Sequence, residues 1–383
     1  MIDKTLGLYV HIPFCVKKCN YCDFVSGCFD DEIKKEYVFK LIDEIKIRSE
    51  KYTDYYVDSV FFGGGTPSLL KIEWLKAVLD SIKSNYKITD NCEITIECNP
   101  GTLTYEKLYA YKDMGINRLS IGLQSADDKE LAILGRIHTY SDFVENFQLS
   151  REVGFDNINV DLIGAIPNQS VESFTSNLEK VKNLDVDHIS VYSLIVEEGT
   201  PFYDMDLNLP NEDDERKMVH IIPEILGIDF HQYEISNYCK NGRECRHNIK
   251  YWKRNEYLGF GASAASLIYS DYDNVGLFGP DLRIKNTENV IEYIKSDSFV
   301  YSEKEKLSKN DVISEYMFLG LRMNEGIDVE LFQNLFGVDF YSIYGKTVEK
   351  YKRNGLLFAD GNRLKLTTKG RDLSNVVFAD FLL

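Results

Sequence analysis

Cys15, Cys19 and Cys22 lie together in one short run, His11-Ile-Pro-Phe-Cys-Val-Lys-Lys-Cys-Asn-Tyr-Cys22. Thiolates at this spacing can grip a zinc ion or three irons of a cubane cluster. Structural zinc is usually closed by four ligands, often from two Cys-x-x-Cys knuckles, and no second knuckle follows. Iron–sulfur clusters usually take four cysteines, so three leave one position for another group to complete. Chance clustering of buried thiols is the reading without chemistry. With no secretory signal, the 8 cysteines read as thiols or metal ligands rather than as a disulfide framework. Cys28, Cys92, Cys98 and Cys239 receive no role.

Other residues suited to a pocket recur along the first half of the chain. Gly63-Gly64-Gly65-Thr66-Pro67 lacks the Gly-Lys-Ser/Thr of a P-loop. It is either a tight turn or a place where a ligand approaches the backbone, whose N–H groups can meet a carboxylate. Glu97 ends the alternating stretch Glu93-Ile-Thr-Ile-Glu97, on the face opposite Ile94 and Ile96. Gln124, Arg136, Asp161 and the segment 193–195, ending in Ile195, follow in order. Taken singly, each has an ordinary structural reading as a turn, a salt bridge or a surface cation.

The elements that must position these residues read as alternating strands and helices. Strands are predicted at 6–12, 57–62, 92–97, 118–123, 157–163 and 188–194 from their β-branched and aromatic content. Helices are predicted over 30–52, about 72–85, from the cap Thr104 to Gly115, from the cap Ser141 to Gly154, and from Ser170 to about 181. Six strand–helix units in a row imply an α/β fold with a parallel sheet and right-handed crossovers. The expected architecture is a partial (β/α)6 barrel. Reactive residues in such barrels gather at and after the carboxyl ends of the strands, and the residues above follow that order, with Asp161 on the fifth strand itself and Arg136 twelve residues past Gln124. A cysteine cluster with one charged or amide residue per strand mouth is what a cofactor pocket requires.

Past residue 197 the rhythm changes to a loop rich in Asp, Asn and Pro, then a mixed region. From about 304, helices at 313–322, 329–336 and 340–353 precede strands at 356–359 and 363–366, a winged-helix-like order. Lys and Arg are not concentrated on any of these helices, so a protein-contact or lid module is expected there. Three units follow: 1–200, 201–303 and 304–383.

The 383 residues carry 44 Lys+Arg against 61 Asp+Glu, a net charge of −17. That balance argues against sequence-independent binding to nucleic acid, which depends on basic residues and counterion release. The 44% hydrophobic content can fill a large core. The longest uncharged stretch in the most apolar region, 257–270, is shorter than the about 20 apolar residues of a bilayer-spanning helix. The opening residues show no cleavable signal, and a cytoplasmic protein is expected.

Beyond these patterns, the cluster loop resembles that of radical S-adenosylmethionine (SAM) proteins, in the oxygen-independent coproporphyrinogen oxidase group. Gly63–Pro67, Thr95-Ile-Glu97-Cys-Asn-Pro100, Ser120-Ile-Gly-Leu-Gln124-Ser and Asn159-Val-Asp161-Leu-Ile match in the family's order, over essentially the whole chain. The resemblance implies that Cys15, Cys19 and Cys22 bind three irons of a [4Fe–4S] cluster and that SAM chelates the fourth. Tyr9, Tyr21, Gly64, Gly65 and Thr66 would line the SAM pocket, with a backbone contact at Ile195. Arg136 suits the SAM carboxylate. Glu97, Gln124 and Asp161 suit its ammonium and ribose hydroxyls, without apportionment among them. If SAM is cleaved, the products are methionine and a 5′-deoxyadenosyl radical; the residues leave open whether cleavage occurs.

Within the group, coproporphyrinogen dehydrogenases carry another cysteine where this chain has Phe24, and a longer N-terminal extension than the about five residues here. Both differences weigh against the oxidative decarboxylation of coproporphyrinogen III, which stays as the enzymatic alternative. Cys245-Arg-His247-Asn248-Ile-Lys-Tyr251-Trp252 is similar to the HNxxYW signature of the haem-chaperone subgroup. That similarity implies haem as cargo, with His247 as axial ligand and Tyr251 and Trp252 stacked on the porphyrin. Cys245 is a weaker contact. The alternative is that His247 and Asn248 hold a loop by hydrogen bonds. His11 is expected to hydrogen-bond, and His138, His188, His220 and His231 to be structural or solvated. An acceptor haemoprotein, such as a membrane-bound respiratory oxidase, and a homodimer also follow from the family. A regulatory winged-helix protein with a vestigial cluster is a third reading.

Overall fold

The computed structural model describes residues 4–269 and 281–383. Its first half alternates strands with helices, two of them between β4 and β5: β1 (Thr5–Ile12), α1 (Asp31–Ser49), β2 (Tyr56–Gly64), α2 (Ile72–Asn85), β3 (Lys87–Cys98), α3 (Tyr105–Asp113), β4 (Arg118–Gln124), α4 (Asp128–Ile133), α5 (Tyr140–Glu152), β5 (Ile158–Gly164), α6 (Val171–Lys182) and β6 (His188–Ser193). Strands β1 to β6 pair in sequence order, all parallel.

Local chemistry explains where the helices start. Asp30, Thr104 and Ser170 accept backbone N–H bonds as N-caps of α1, α3 and α6. The cap of α5 is Thr139, not Ser141: Thr139 and Asp142 form a reciprocal capping box, and Ser141 lies inside the helix. The short α4 was not anticipated; its Asp127 cap accepts from Lys129 N and Glu130 N.

The chain then forms α7 (Glu212–Leu226), β7 (His231–Glu234), β8 (Asn237–Cys239), α8 (Arg246–Trp252), β9 (Tyr257–Phe260), β10 (Ala265–Ile268), β11 (Leu282–Asn286), α9 (Val290–Lys295) and β12 (Tyr301–Lys306). These extend the sheet at both ends to twelve strands, in the order β12-β11-β10-β9-β1-β2-β3-β4-β5-β6-β8-β7. β9 joins β1 in parallel, while β8 runs antiparallel to β6. Hydrogen bonds do not close the barrel among the described residues: β12 and β7 remain its edges.

Side-chain alternation assigns the two faces of the sheet. Leu8, Val10, Val60, Phe62, Ile94, Ile96, Leu119, Ile121, Val160, Leu162 and Ile189 are buried in the main apolar core with the apolar sides of the helices. The intervening positions, Tyr9, Phe61, Glu97, Ser120, Gly122, Asn159, Asp161 and Ser190, line a cavity. A polar interior face thus follows directly from the period of two.

The last segment builds α10 (Lys309–Arg322), β13 (Ile327–Asp328), α11 (Val329–Phe336), α12 (Phe340–Arg353), β14 (Leu357–Asp360), β15 (Arg363–Leu366), α13 (Thr368–Asp372) and α14 (Ser374–Ala379). The three strands form a separate sheet, β13-β15-β14. Phe332, Phe336, Phe340, Tyr344 and Phe381 fill a second core. Arg322 ties this segment to the rest, with its Nε 2.7 Å from Glu234 Oε2 and its guanidinium 4.4 Å over the Trp252 ring. Among the described residues, no helix is long and apolar enough to cross a membrane.

Candidate functional site

The loop after β1 is fixed by backbone bonds at several points. Cys15 N donates to Gly27 O at 2.9 Å and Gly27 N to Pro13 O at 3.0 Å. Further along, Asn20 N donates to Leu134 O at 3.0 Å, and Asn20 Nδ2 to Ile133 O at 2.9 Å. The loop is therefore pinned against the end of α4, where Gly135 must lack a side chain because a Cβ would meet Asn20 at 2.9 Å. This leaves Cys15, Cys19 and Cys22 as half-buried free thiols facing one cavity of about 560 Å³. Burial pushes the Cys22 thiol up to about 11.

Every SAM-pocket candidate from the sequence borders that cavity: Tyr9, Tyr21, Gly64, Gly65, Thr66, Glu97, Gln124, Arg136, Asp161 and Ile195. Asn99 organises several of them. Its Nδ2 donates to Thr66 Oγ1 at 2.9 Å, and its Oδ1 accepts from Arg136 Nη2 at 2.9 Å. Thr66 Oγ1 lies 3.6 Å from Cys15 Sγ, while Arg136 Nη1 lies 3.6 Å from Cys19 Sγ. Hydrogen-bonded side chains thus link two of the three thiols. Arg136 also donates to Gly122 O at 2.7 Å, and among the described residues its buried Nε has no hydrogen-bond partner.

Two carboxylates face the cavity from β3 and β5, on either side of β4. Gly64 N donates to Glu97 Oε2 at 3.0 Å. Burial, with the nearby charge of Asp161, pushes Glu97 up to about 8, so it is mostly protonated at neutral pH. Burial also raises Asp161, against hydrogen bonds from Asn159, Ser190 and Ser120. Gly64 sits at φ 111°, and a Cβ there would strike the His11 ring at 2.5 Å. His11 itself is held between Tyr9 OH and Val25 O, a hydrogen-bonding role.

The haem-signature residues occupy α8, which packs across the sheet face. His247 and Tyr251 line the same cavity as the thiols. Trp252 does not; it borders a second cavity of about 510 Å³, with Tyr9, Phe24, Tyr251 and Tyr257. Tyr251 therefore stands between the two. His247 is 1% exposed, with Nδ1 2.9 Å from Ser59 Oγ and Nε2 2.8 Å from Tyr251 OH. It stacks on Phe61 with ring centres 5.3 Å apart. Burial, aided by Lys250 and Arg118, lowers its imidazole to about 3, so the ring is neutral and keeps a lone pair suited to iron.

Glu93 was not singled out from the sequence, although alternation puts it on the same face of β3 as Glu97. Its carboxylate accepts from Arg246 N at 3.2 Å and His247 N at 3.1 Å, and Cys245 Sγ lies 3.7 Å away. An anion thereby satisfies the open N–H groups at the start of α8. One strand thus fixes both sides of the site: Glu97 holds the glycine turn and Glu93 holds the haem-signature helix. Arg118, 1% exposed, lines the cavity between these groups. Asn99 was legible in principle, since it directly follows the end of β3; Glu93 acts through a partner distant in sequence.

Known proteins resemble the chain over essentially its whole length. A model of the radical SAM superfamily matches residues 9–181, and one of the HemN C-terminal domain matches 307–373. The chain is 35% identical to a Lactococcus lactis protein named haem chaperone HemW, covering 100% of this chain and 99% of that protein. It is 36% identical to a Bacillus subtilis protein of the same name, over 98% of each. Among solved structures, Escherichia coli coproporphyrinogen III oxidase (HemN), described as a radical SAM enzyme, superposes with a TM-score of 0.85 at 22% identity. That superposition covers 99% of this chain and 90% of that one and shows a shared fold.

Proposed function

The chain belongs to the HemW family of haem chaperones, within the radical SAM superfamily, and from that premise we propose that it binds haem beside a SAM-ligated [4Fe–4S] cluster and passes the haem to an acceptor haemoprotein. The observation that carries this reading is the single cavity bordered at one end by Cys15, Cys19 and Cys22 and at the other by His247 and Tyr251. The donor set fits the cluster: three free thiols, held in place by the bonds of their loop, leave one position for another ligand. Arg136, with its unpartnered Nε, fits the SAM carboxylate. The Gly64–Thr66 turn offers backbone beside it, and Glu97, Gln124 and Asp161 supply polar contacts for the amino and ribose groups. With SAM bound, a reduced cluster supplies one-electron chemistry at the SAM sulfur.

On the cargo side, His247 is the proposed iron ligand. Its neutral ring can use Nε2 once Tyr251 OH lets go. Tyr251 and Trp252, with Phe24 and Tyr257, offer aromatic walls for the porphyrin in the adjoining cavity. A cytoplasmic location, a membrane-bound respiratory acceptor and a homodimer belong to the same proposal. The test is made on anaerobically cluster-loaded protein. It is expected to bind haem and transfer it to an apo-haemoprotein, with no conversion of coproporphyrinogen III when SAM and reductant are supplied. Decarboxylation of coproporphyrinogen would contradict the chaperone reading.

A further inference from the structure

Away from the cavity, three side chains of different types converge near the β7 edge of the sheet. His231 opens β7, Cys239 closes β8, and antiparallel pairing sets these two residues opposite each other. Glu244 comes from the loop that leads into α8. One donor atom from each of the three lies within 4.8 Å of the others. His231 Nε2 is 2.9 Å from Glu244 Oε1 and 3.7 Å from Cys239 Sγ. On a tetrahedral zinc, with Zn–N and Zn–O about 2.0 Å and Zn–S about 2.3 Å, nitrogen and sulfur ligands stand about 3.5 Å apart and nitrogen and oxygen ligands about 3.3 Å. The nitrogen–sulfur separation already matches, and the nitrogen–oxygen separation needs to widen by a few tenths of an ångström.

We propose that His231, Cys239 and Glu244 form a binding site for a zinc-class divalent cation, with a fourth position open to water. Thiolate and imidazole donors select borderline transition metals over magnesium or calcium, which take oxygen ligands. Thiolate and carboxylate together neutralise a dication. Without a cation, burial pushes the Cys239 thiol up to about 12, and the negative charge of Glu244 adds to the rise. His231 Nδ1 has no hydrogen-bond partner among the described residues, so the site lacks the outer-shell support usual for metal-bound imidazole. Binding is accordingly expected to be weaker than at closed four-ligand zinc sites.

None of the three residues borders the thiol-lined cavity, and the inference does not depend on the haem proposal. It does have a consequence for the haem-signature helix. Glu244 directly precedes Cys245, the N-cap residue of α8, so a bound ion ties the sheet edge to the start of that helix.

The full chain, with its cysteine loop occupied by cluster, would be dialysed against zinc, washed, and measured for zinc content and zinc X-ray absorption. About one zinc per chain is expected, with one sulfur at about 2.3 Å and the remaining neighbours nitrogen or oxygen. Cys239→Ala should remove the sulfur neighbour and lower affinity at least ~10-fold, the lower end of what loss of even an outer-shell partner costs. Glu244→Gln, a change on a loop, should weaken binding several-fold without disturbing the fold. Zinc no higher in wild type than in Cys239→Ala overturns the proposal. So does a zinc with two or more sulfur neighbours, or an affinity unchanged by Glu244→Gln.

Discussion

At the strand mouths the three thiols stand half buried around the cavity, whereas His247 across it is 1% exposed with a hydroxyl on each ring nitrogen. The thiol end presents donors in a loop fixed by backbone bonds. The histidine end holds its donor in reserve: Nε2 becomes available only when Tyr251 releases it, at a cost of about 0.5–1.5 kcal/mol for one hydrogen bond. A group meant to stay needs a ready set of ligands. Cargo that must leave is better served by a ligand with an internal competitor, because the Tyr251 hydroxyl can reclaim the imidazole.

Removing a donor from the ready end should have the largest effect. Cys19→Ala is expected to abolish stable cluster loading, read as iron and sulfide content after anaerobic reconstitution. Full retention of cluster would show that another residue replaces the thiol.

The next test separates the two ends through β3. Glu93→Gln removes the charge that caps α8 while keeping the side chain's shape. Hydrogen bonds to charged groups are worth about 1.5–3 kcal/mol each, and the amide oxygen can still accept, so a loss of about 1–3 kcal/mol in unfolding free energy is expected. Haem affinity should fall with it while cluster content is unchanged. Loss of cluster in this variant would mean that the two ends are not separately built.

A further test concerns Glu97. Its carboxyl is raised to about 8 in the folded chain, so folding favours its protonated form. Stability from this group is present below the ordinary carboxylate range and is lost as pH rises towards about 8. Wild type should therefore lose more thermal stability between pH 5 and 9 than Glu97→Gln does. Equal losses would show that Glu97 ionises normally.

The legible parts of the molecule are those governed by local rules. The helices Ile72–Asn85 and Val329–Phe336 and the strand Arg363–Leu366 lie where periodicity put them. The strand-mouth residues were legible because a period of two fixes a face and the parallel topology fixes an end. Thr139 was hidden because its capping partner is Asp142 rather than the more usual Glu or Gln. The parallel pairing of β9 with β1 joins distant parts of the chain, and no local pattern encodes it. His231 and Cys239 were unremarkable as sequence positions; only strand pairing and the Glu244 loop bring them together.

The central claim is that haem binds beside the cluster site, with His247, which lines the cavity of the thiols, as the haem ligand. It is tested most directly by the absorption and electron paramagnetic resonance spectra of haem added to cluster-loaded wild type and His247→Ala. The wild type should show a histidine-ligated haem, and the variant should lose that signature and bind at least ~10-fold more weakly, a difference of about 1.4 kcal/mol or more. Identical spectra and affinities in the two proteins would contradict the account.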